Sequence, residues 1–417
     1  MNIRRGLCDL PNEILANILS YLDYKDLRNV KFVNRKLSGL TKQEKFWRNY
    51  CVKYWLLTEC PEGQTWEDTF IKWFKDMGAY INYYKILKTA WDNIKNYYQL
   101  NNPQMYSTIM GGASEEELNA LERRLHFVLP LDYRCSYRIC SGQEFSSPGI
   151  MGSMSSPGWY RTETLLDLNT VSVVGFRERD GLKGCIPLTL CLHSGVIQYL
   201  AVTDEDGYEP NTIFYPMDME SGRERSSVDA FISGTSFQEW VTSHANHLTK
   251  NDYVSIQNQP FTFLHDSAAV ETTGYITVSV ATCFLPELSK INPPKFHHTY
   301  RITMSMSSAA CELDECQLET RHWTITDENG SEELVDGPGV VGEYPVMYPG
   351  ASFSWVSSTS FNTTYGNMKG YFRMRNLKSH ERFKVNCPIF HMKCYPYVTE
   401  EEREFNKAKK RELKKQA

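Results

Sequence analysis

The sequence predicts a multidomain α+β chain in which N-terminal helices lead through a mixed α+β region into an antiparallel β-sandwich. Three observations carry this reading. The chain has 417 residues, too many for one hydrophobic core, so two or three domains are expected. Apolar residues recur at helical spacing as far as Asn102. From about residue 256 the period becomes two, and short strands alternate with Gly, Pro, Asn and Asp turns.

The first element is a helix over Leu10, Pro11, Ile14, Leu15, Ile18, Leu19 and Leu22. Pro11 suits a first helical turn, where its missing N–H is not needed. Asp23 is placed to cap a second helix carrying Leu27 and Val30, and Asn34 a third. Val33 and Trp47 extend the apolar pattern. A unit of about forty residues buries too little surface to be robust alone, so a partner is expected to complete it. Leu10-Pro11-x-Glu13, the Ile14-Leu15 pair and Trp47 in this order resemble an F-box, over residues 7–53. The resemblance implies docking on the Skp adaptor of a cullin–RING ubiquitin ligase. Leu10, Pro11, Ile14, Leu15, Ile18, Leu19, Leu22, Leu27, Val33 and Trp47 are the residues it implies for that contact.

Residues 54–102 form an aromatic helical linker. Trp66, Phe70, Trp73 and Phe74 share one face. Tyr80, Tyr84, Leu87, Trp91, Ile94 and Tyr98 then continue at helical spacing until Asn101-Asn102-Pro103 breaks the helix. This stripe reads as a core face that fixes the first domain to the second.

Residues 103–250 read as α+β. Ser114-x-x-Glu117 is a capping box, with Leu118, Leu121 and Leu125 behind it. Strands are expected at Val196–Val202 and Ile213–Tyr215, and Ser236 caps a closing helix with Phe237, Trp240 and Val241. The capped helix followed by Leu129-Pro130-Leu131-Asp132-Tyr133-Arg134 and Ser141-Gly142-Gln143 resembles the Smi/Knr (SUKH) domain.

Residues 256–397 alternate. Ile276, Val278 and Val280 face one way and Tyr300, Ile302, Met304 and Met306 do the same. Further strands are expected at His322–Thr326, Phe353–Val356, Tyr371–Arg375 and Phe383–Val385, giving a sandwich of immunoglobulin or fibronectin III type. Gly337 to Gly350, Gly366 to Tyr371 and Pro388 to Met392 resemble the ApaG domain in order. The polar stretch 251–260 marks a boundary, so this domain is expected to fold by itself. Residues 398–417 read as a charged, flexible tail.

F-box, Smi/Knr and ApaG in this order resemble the F-box only protein 3 family. Vertebrate members end in an acidic tail, whereas residues 405–417 here are basic, with Lys409-Lys410-Arg411 and Lys414-Lys415. The resemblance implies a non-catalytic substrate-recognition subunit of a Skp–cullin–F-box ligase. Its partners would be the Skp adaptor, cullin and RING subunit through it, and protein targets on the other two domains. Two alternatives stay open, a small-molecule or phosphate-sensing adaptor through ApaG, and a scaffold working outside the ligase.

Composition agrees. A net charge of −5 argues against nucleic acid or an anionic membrane as the main partner. No apolar run suits a membrane helix. The start, Met1 to Arg5, lacks an apolar stretch of secretory type. Twelve cysteines without a Cys-x-x-Cys suit reduced thiols in cytoplasm or nucleus. Gly337-x-Gly339-x-x-Gly342 matches a dinucleotide fingerprint by letters, but Pro345 would interrupt the helix that chemistry needs. It reads as a turn, with an anion nest on its backbone amides as the weaker alternative. No cofactor is expected. His244-x-x-His247, His297-His298 and Cys311/Cys316 lack partners at zinc spacing, so no metal is expected either. The basic tail reads as a solvated charge run, with a nuclear import signal as the rarer alternative.

Overall fold

A computed structural model describes residues 7–175, 182–217 and 229–416. The chain divides into two compact units, Met1–Thr89 and Ala90–Ala417. The basic start at Arg4 and Arg5 lies outside the described residues.

The first unit holds α1 (Asn12–Leu19), α2 (Tyr24–Val30), α3 (Arg35–Leu40), α4 (Glu44–Trp55) and α5 (Trp66–Met77). Pro11 sits one residue ahead of α1, at the N-cap. Asp23 accepts from the Asp26 amide and Asn34 from the Leu37 amide, so both expected caps form. Phe70 of α5 packs among Tyr24, Trp47, Tyr50 and Tyr54, with ring centroids 5.4–6.5 Å away. The long helix starts at Tyr84 rather than Tyr80. A 3-10 turn over Gly78–Tyr80 and a turn through Asn82 separate it from α5, and α6 (Tyr84–Asn101) follows. Tyr80 is still buried, so the spacing survives although the helix is broken.

The second unit continues with α7 (Pro103–Ser107), α8 (Glu115–Leu125), α9 (Leu131–Ile139), β1 (Ser153–Ser156), β2 (Trp159–Thr162), β3 (Thr164–Leu165), α10 (Leu168–Gly175), β4 (Cys185–Leu190), β5 (Ile197–Ala201), β6 (Ile213–Pro216), β7 (Ala230–Gly234) and α11 (Phe237–Thr249). Ser114 and Glu117 form the reciprocal capping box. The Leu-Pro-x-Asp-Tyr-Arg segment has a local physical role. Buried Asp132 accepts from Asn211 Nδ2 at 2.8 Å and the Gln238 amide at 2.9 Å, tying α9 to the start of α11. Arg134 reaches back to α8, pairing with Glu122 at 2.7 Å and with Glu115.

The remainder is β8 (Tyr253–Ile256), β9 (Gln259–Thr273), β10 (Ile276–Phe284), β11 (Phe296–Met306), β12 (Cys316–Asp327), β13 (Glu332–Pro338), β14 (Val346–Met347), β15 (Ser352–Phe361), β16 (Tyr365–Asn376), β17 (Arg382–Lys393), β18 (Tyr397–Val398) and α12 (Glu400–Gln416). Two sheets, β15-β11-β10-β9-β1-β2 with β8 on β9, and β13-β12-β16-β17 with β14 on β12, contribute to one core. Val278, Ile302 and Met304 meet Leu318, Phe372, Met374 and Val385 there, as period-two alternation requires. The third sheet runs β18-β7-β6-β5-β4-β3.

Residues 256–397, expected to fold by themselves, exchange strands with the region before them in this topology. β1 pairs with β9 in parallel, Ser153 opposite Phe261, so an early hairpin completes the sandwich sheet. In return β18 pairs with β7, Tyr397 opposite Phe231, extending the other sheet. Phe231 then meets Phe284, Phe296 and Tyr397 in one shared cluster. The tail, expected to be flexible, carries α12. Thr399 and Glu402 cap α12 reciprocally, and Arg403 is buried, stacking on the Tyr208 ring at 4.9 Å and donating to the Asp206 carbonyl. Lys410 pairs with Glu209 at 3.0 Å. The side chains of Arg411, Lys414 and Lys415 lie outside the described residues.

Candidate functional site

The predicted adaptor contacts divide into two groups in the first unit. Leu15 is 1% exposed, and Leu19, Leu27 and Trp47 are equally part of the core. Trp47 is further fixed by its indole N–H, which donates to the Thr41 carbonyl at 2.9 Å. Leu22 is half-buried, and its carbonyl accepts from the Tyr50 hydroxyl at 2.7 Å. These side chains build the core of the unit rather than its outer face.

The second group faces outward. Ile14 is 48% exposed, Ile18 40% and Val33 66%, with Pro11 exposed and Leu10 half-buried. Ile14 and Ile18 lie one turn apart on α1, beside the buried pair Leu15 and Leu19. The approach to α1 is fixed by Lys36, whose ammonium donates to the Cys8 and Leu10 carbonyls at 2.8 and 2.9 Å. Asn34 Nδ2 reaches Cys8 Sγ at 3.0 Å. Sequence reasoning missed Leu7, Tyr21 and Phe32, which are also strongly exposed. Phe32 adjoins Val33 in the turn between α2 and α3, where no helical period could single it out.

The Gly337-x-Gly339-x-x-Gly342 segment closes as a tight hairpin. Gly339 has φ +57° and Gly342 φ +83°, as a turn of this kind needs. The Gly339 amide donates to the Glu319 carbonyl, Val340 to Glu343, and Glu343 back to Val340, all at 2.8–2.9 Å. With those donors engaged inside the fold, the arrangement does not favour an anion nest. Gly337 lies in β13 without positive φ, and a Cβ there would come 2.9 Å from the Arg321 guanidinium. A Cβ on Gly339 would approach the Glu343 carbonyl oxygen to 2.4 Å. Gly339→Ala is therefore expected to lower stability by more than about 1 kcal/mol in denaturant unfolding.

The histidine and cysteine pairs do not converge. His244 is buried, its Nε2 3.0 Å from the Ile150 carbonyl, and burial lowers its pKa to about 4. His247 pairs with Asp252. Among the described residues no three His, Cys, Asp or Glu side chains are grouped to hold a metal ion, and no helix is long and apolar enough to cross a membrane.

A second cluster, invisible in the sequence, joins the strand-exchanged halves of the second unit. Arg161 of β2 pairs with Glu163 at 3.0 Å and with Glu287 from the turn after β10. Trp159 Nε1 also donates to Glu287 at 3.0 Å. Glu163 accepts in addition from Tyr215, Gln198 and Thr189. Burial alone would lower the Arg161 pKa, but Glu287, Tyr215 and Glu163 outweigh it and raise the value. The carboxylates are saturated by neighbours, so this is a staple between sheets rather than an open reactive site.

Comparison with known proteins finds family models at three stretches of the chain. An F-box-like model matches residues 7–53, the SMI1/KNR4 family (SUKH-1) model residues 112–243, and the ApaG domain model residues 286–376. The chain is 44% identical over 389 residues to F-box only protein 3 of Rattus norvegicus, covering 92% of this chain and 81% of that one. It is 28% identical to F-box protein SKIP16 of Arabidopsis thaliana, covering 94% and 100%. Protein ApaG of Bradyrhizobium diazoefficiens is 37% identical over 118 residues, which is 28% of this chain and 87% of that protein.

Proposed function

This chain belongs to the F-box only protein 3 family, and we propose that it serves as the substrate receptor of a Skp–cullin–F-box ubiquitin ligase. An F-box domain is in general an adaptor-docking module, and this chain carries one. The observation that carries the proposal is the division of α1 into a buried pair, Leu15 and Leu19, and an exposed pair, Ile14 and Ile18. The buried pair gives the unit its own core, and the exposed pair is left for a partner. Burying one such side chain is worth about 1.5–3 kcal/mol, so a few anchors suffice for a stable contact.

The role assigned to the chain is positioning. Held on the adaptor, it would keep a bound target within reach of a charged ubiquitin-conjugating enzyme. The second unit, with two β-rich regions stapled into one body, supplies the surface for targets. Affinity purification of the full chain with proteasomal degradation blocked tests this. Adaptor, cullin and ubiquitinated targets are expected with the native chain, and adaptor and cullin should be lost from an Ile14→Asp/Ile18→Asp variant. Adaptor without cullin would instead favour a scaffold outside the ligase.

A further inference from the structure

The outer face of the β13-β12-β16-β17 sheet places like charges directly opposite one another. Arg373 of β16 pairs across the ladder with Lys384 of β17, and the next outward pair is Arg375 with Arg382. Like charges in directly opposed positions oppose sheet formation. Arg375 and Arg382 are relieved by Glu319, at 3.4 and 2.8 Å. Arg373 and Lys384 are exposed, and among the described residues neither has a carboxylate within ion-pair distance, although Glu319 lies close enough for the Arg373 charge to help lower its pKa. The strand position opposite Arg373 on β12 is Thr320, which adds no charge.

Lys384 is also held in place. Its ammonium lies 4.1 Å from the centroid of the Tyr371 ring, and that ring stacks on His322 at 4.4 Å with an interplanar angle of 14°. His322 is fixed by Asp336 at 2.6 Å and by Thr320 at 2.8 Å. A row running Asp336, His322, Tyr371 across three strands thus supports a cation above the sheet. Lys369, on the same face of β16, is exposed as well. A lysine prepositioned on an aromatic ring loses less freedom on binding an anion than a free one.

We propose that Arg373 and Lys384, supported by Tyr371 and His322, form a docking surface for a phosphorylated segment of a partner protein. Guanidinium and ammonium side by side match a dianionic phosphate, with the arginine fork able to take two of its oxygens. The charge pattern disfavours a long polyanion. Glu332 and Asp336 line the β13 edge of the same face, and the chain's net charge is −5, so a nucleic acid would be repelled beyond the basic patch. A short segment with one or two phosphates meets the positive half alone. Naming this partner a ligase target rests on the receptor reading, whereas the binding itself is measured without adaptor, so the two can fail separately.

The probe is an oriented phosphoserine/phosphothreonine peptide library applied to the full chain, beside its dephosphorylated form and a library with Glu at the fixed position. The variants are Arg373→Glu and Lys384→Glu. Each converts a like-charge pair into an opposite-charge pair, which offsets the loss of the Lys384–Tyr371 contact or of the Arg373–Glu319 attraction, and thermal melts check that both variants stay folded. Phosphorylated peptides are expected to be enriched on the native chain and weakened by roughly tenfold or more in either variant. Adaptor binding should be unchanged in both. Absence of phosphopeptide enrichment, equal enrichment of the Glu library, or full retention by both folded variants would overturn the proposal. Preferential binding of an unstructured oligonucleotide at this face would overturn it as well.

Discussion

Glu287→Ala is expected to lower the stability of the second unit by about 3–5 kcal/mol, the usual cost of breaking a buried ion pair by removing one partner. Arg161 and Glu287 side chains are each 5% exposed, so water cannot replace the lost carboxylate without opening the junction. The Trp159 indole N–H loses its acceptor in the same variant. Glu287→Gln keeps one acceptor oxygen, for Arg161 or Trp159 but not both, and removes the charge, so its loss should be smaller than that of Glu287→Ala but not zero. Denaturant unfolding of the full chain checks both. A Glu287→Ala midpoint equal to that of the native chain would show that the staple contributes nothing.

The strand exchange extends the same result to fragments. Residues 256–397 expressed alone lose β1 and β2, the partner strands beyond β9, and retain Glu287 without Arg161. They also uncover Phe261, Phe263 and Leu285, which pack with Met154 in the native unit. The fragment is expected to melt with less cooperativity than residues 90–416. The full-length unit should show one transition, because the shared Phe231, Phe284 and Phe296 cluster links its two regions.

The parts legible in the sequence are those set by local rules. Asp23, Asn34, Ser114 and Ser236 each cap the helix they precede, because capping involves only the next three residues. The alternation of Ile276, Val278 and Val280 names β10 because side chains on a strand change face at every residue. Pairing between distant segments carries no such mark. Nothing in Ser153 announces Phe261 as its neighbour, and Arg161 reads like any surface arginine until β2 delivers it to Glu287. The tail misled for a related reason. Its charges suggest a solvated chain, yet the box at Thr399 and Glu402 starts a helix and the buried Arg403 anchors it.

The proposed docking face is half legible in the sequence. The stripes Leu15/Leu19 and Ile14/Ile18 lie side by side, about 100° apart around the helix, and both are apolar. Helical period alone cannot say which one faces inward. The packing of α1 on α3 decides it, and that depends on where α2 and the Asn34 cap send the chain.

That division yields the second large effect. Leu15→Ala should destabilise the first unit by about 2–5 kcal/mol, as truncation of a core leucine does, with adaptor binding falling only as the unit unfolds. Ile14→Asp with Ile18→Asp should leave the helices formed, since both side chains already face solvent, and should place charges in the contact. The direct test is isothermal titration of the purified Skp adaptor into the full-length chain and into this double variant, with folding monitored by circular dichroism. Saturable one-to-one binding to the native chain is expected, weakened roughly a thousandfold in the folded variant. Undiminished binding by the folded variant would contradict the proposed docking face.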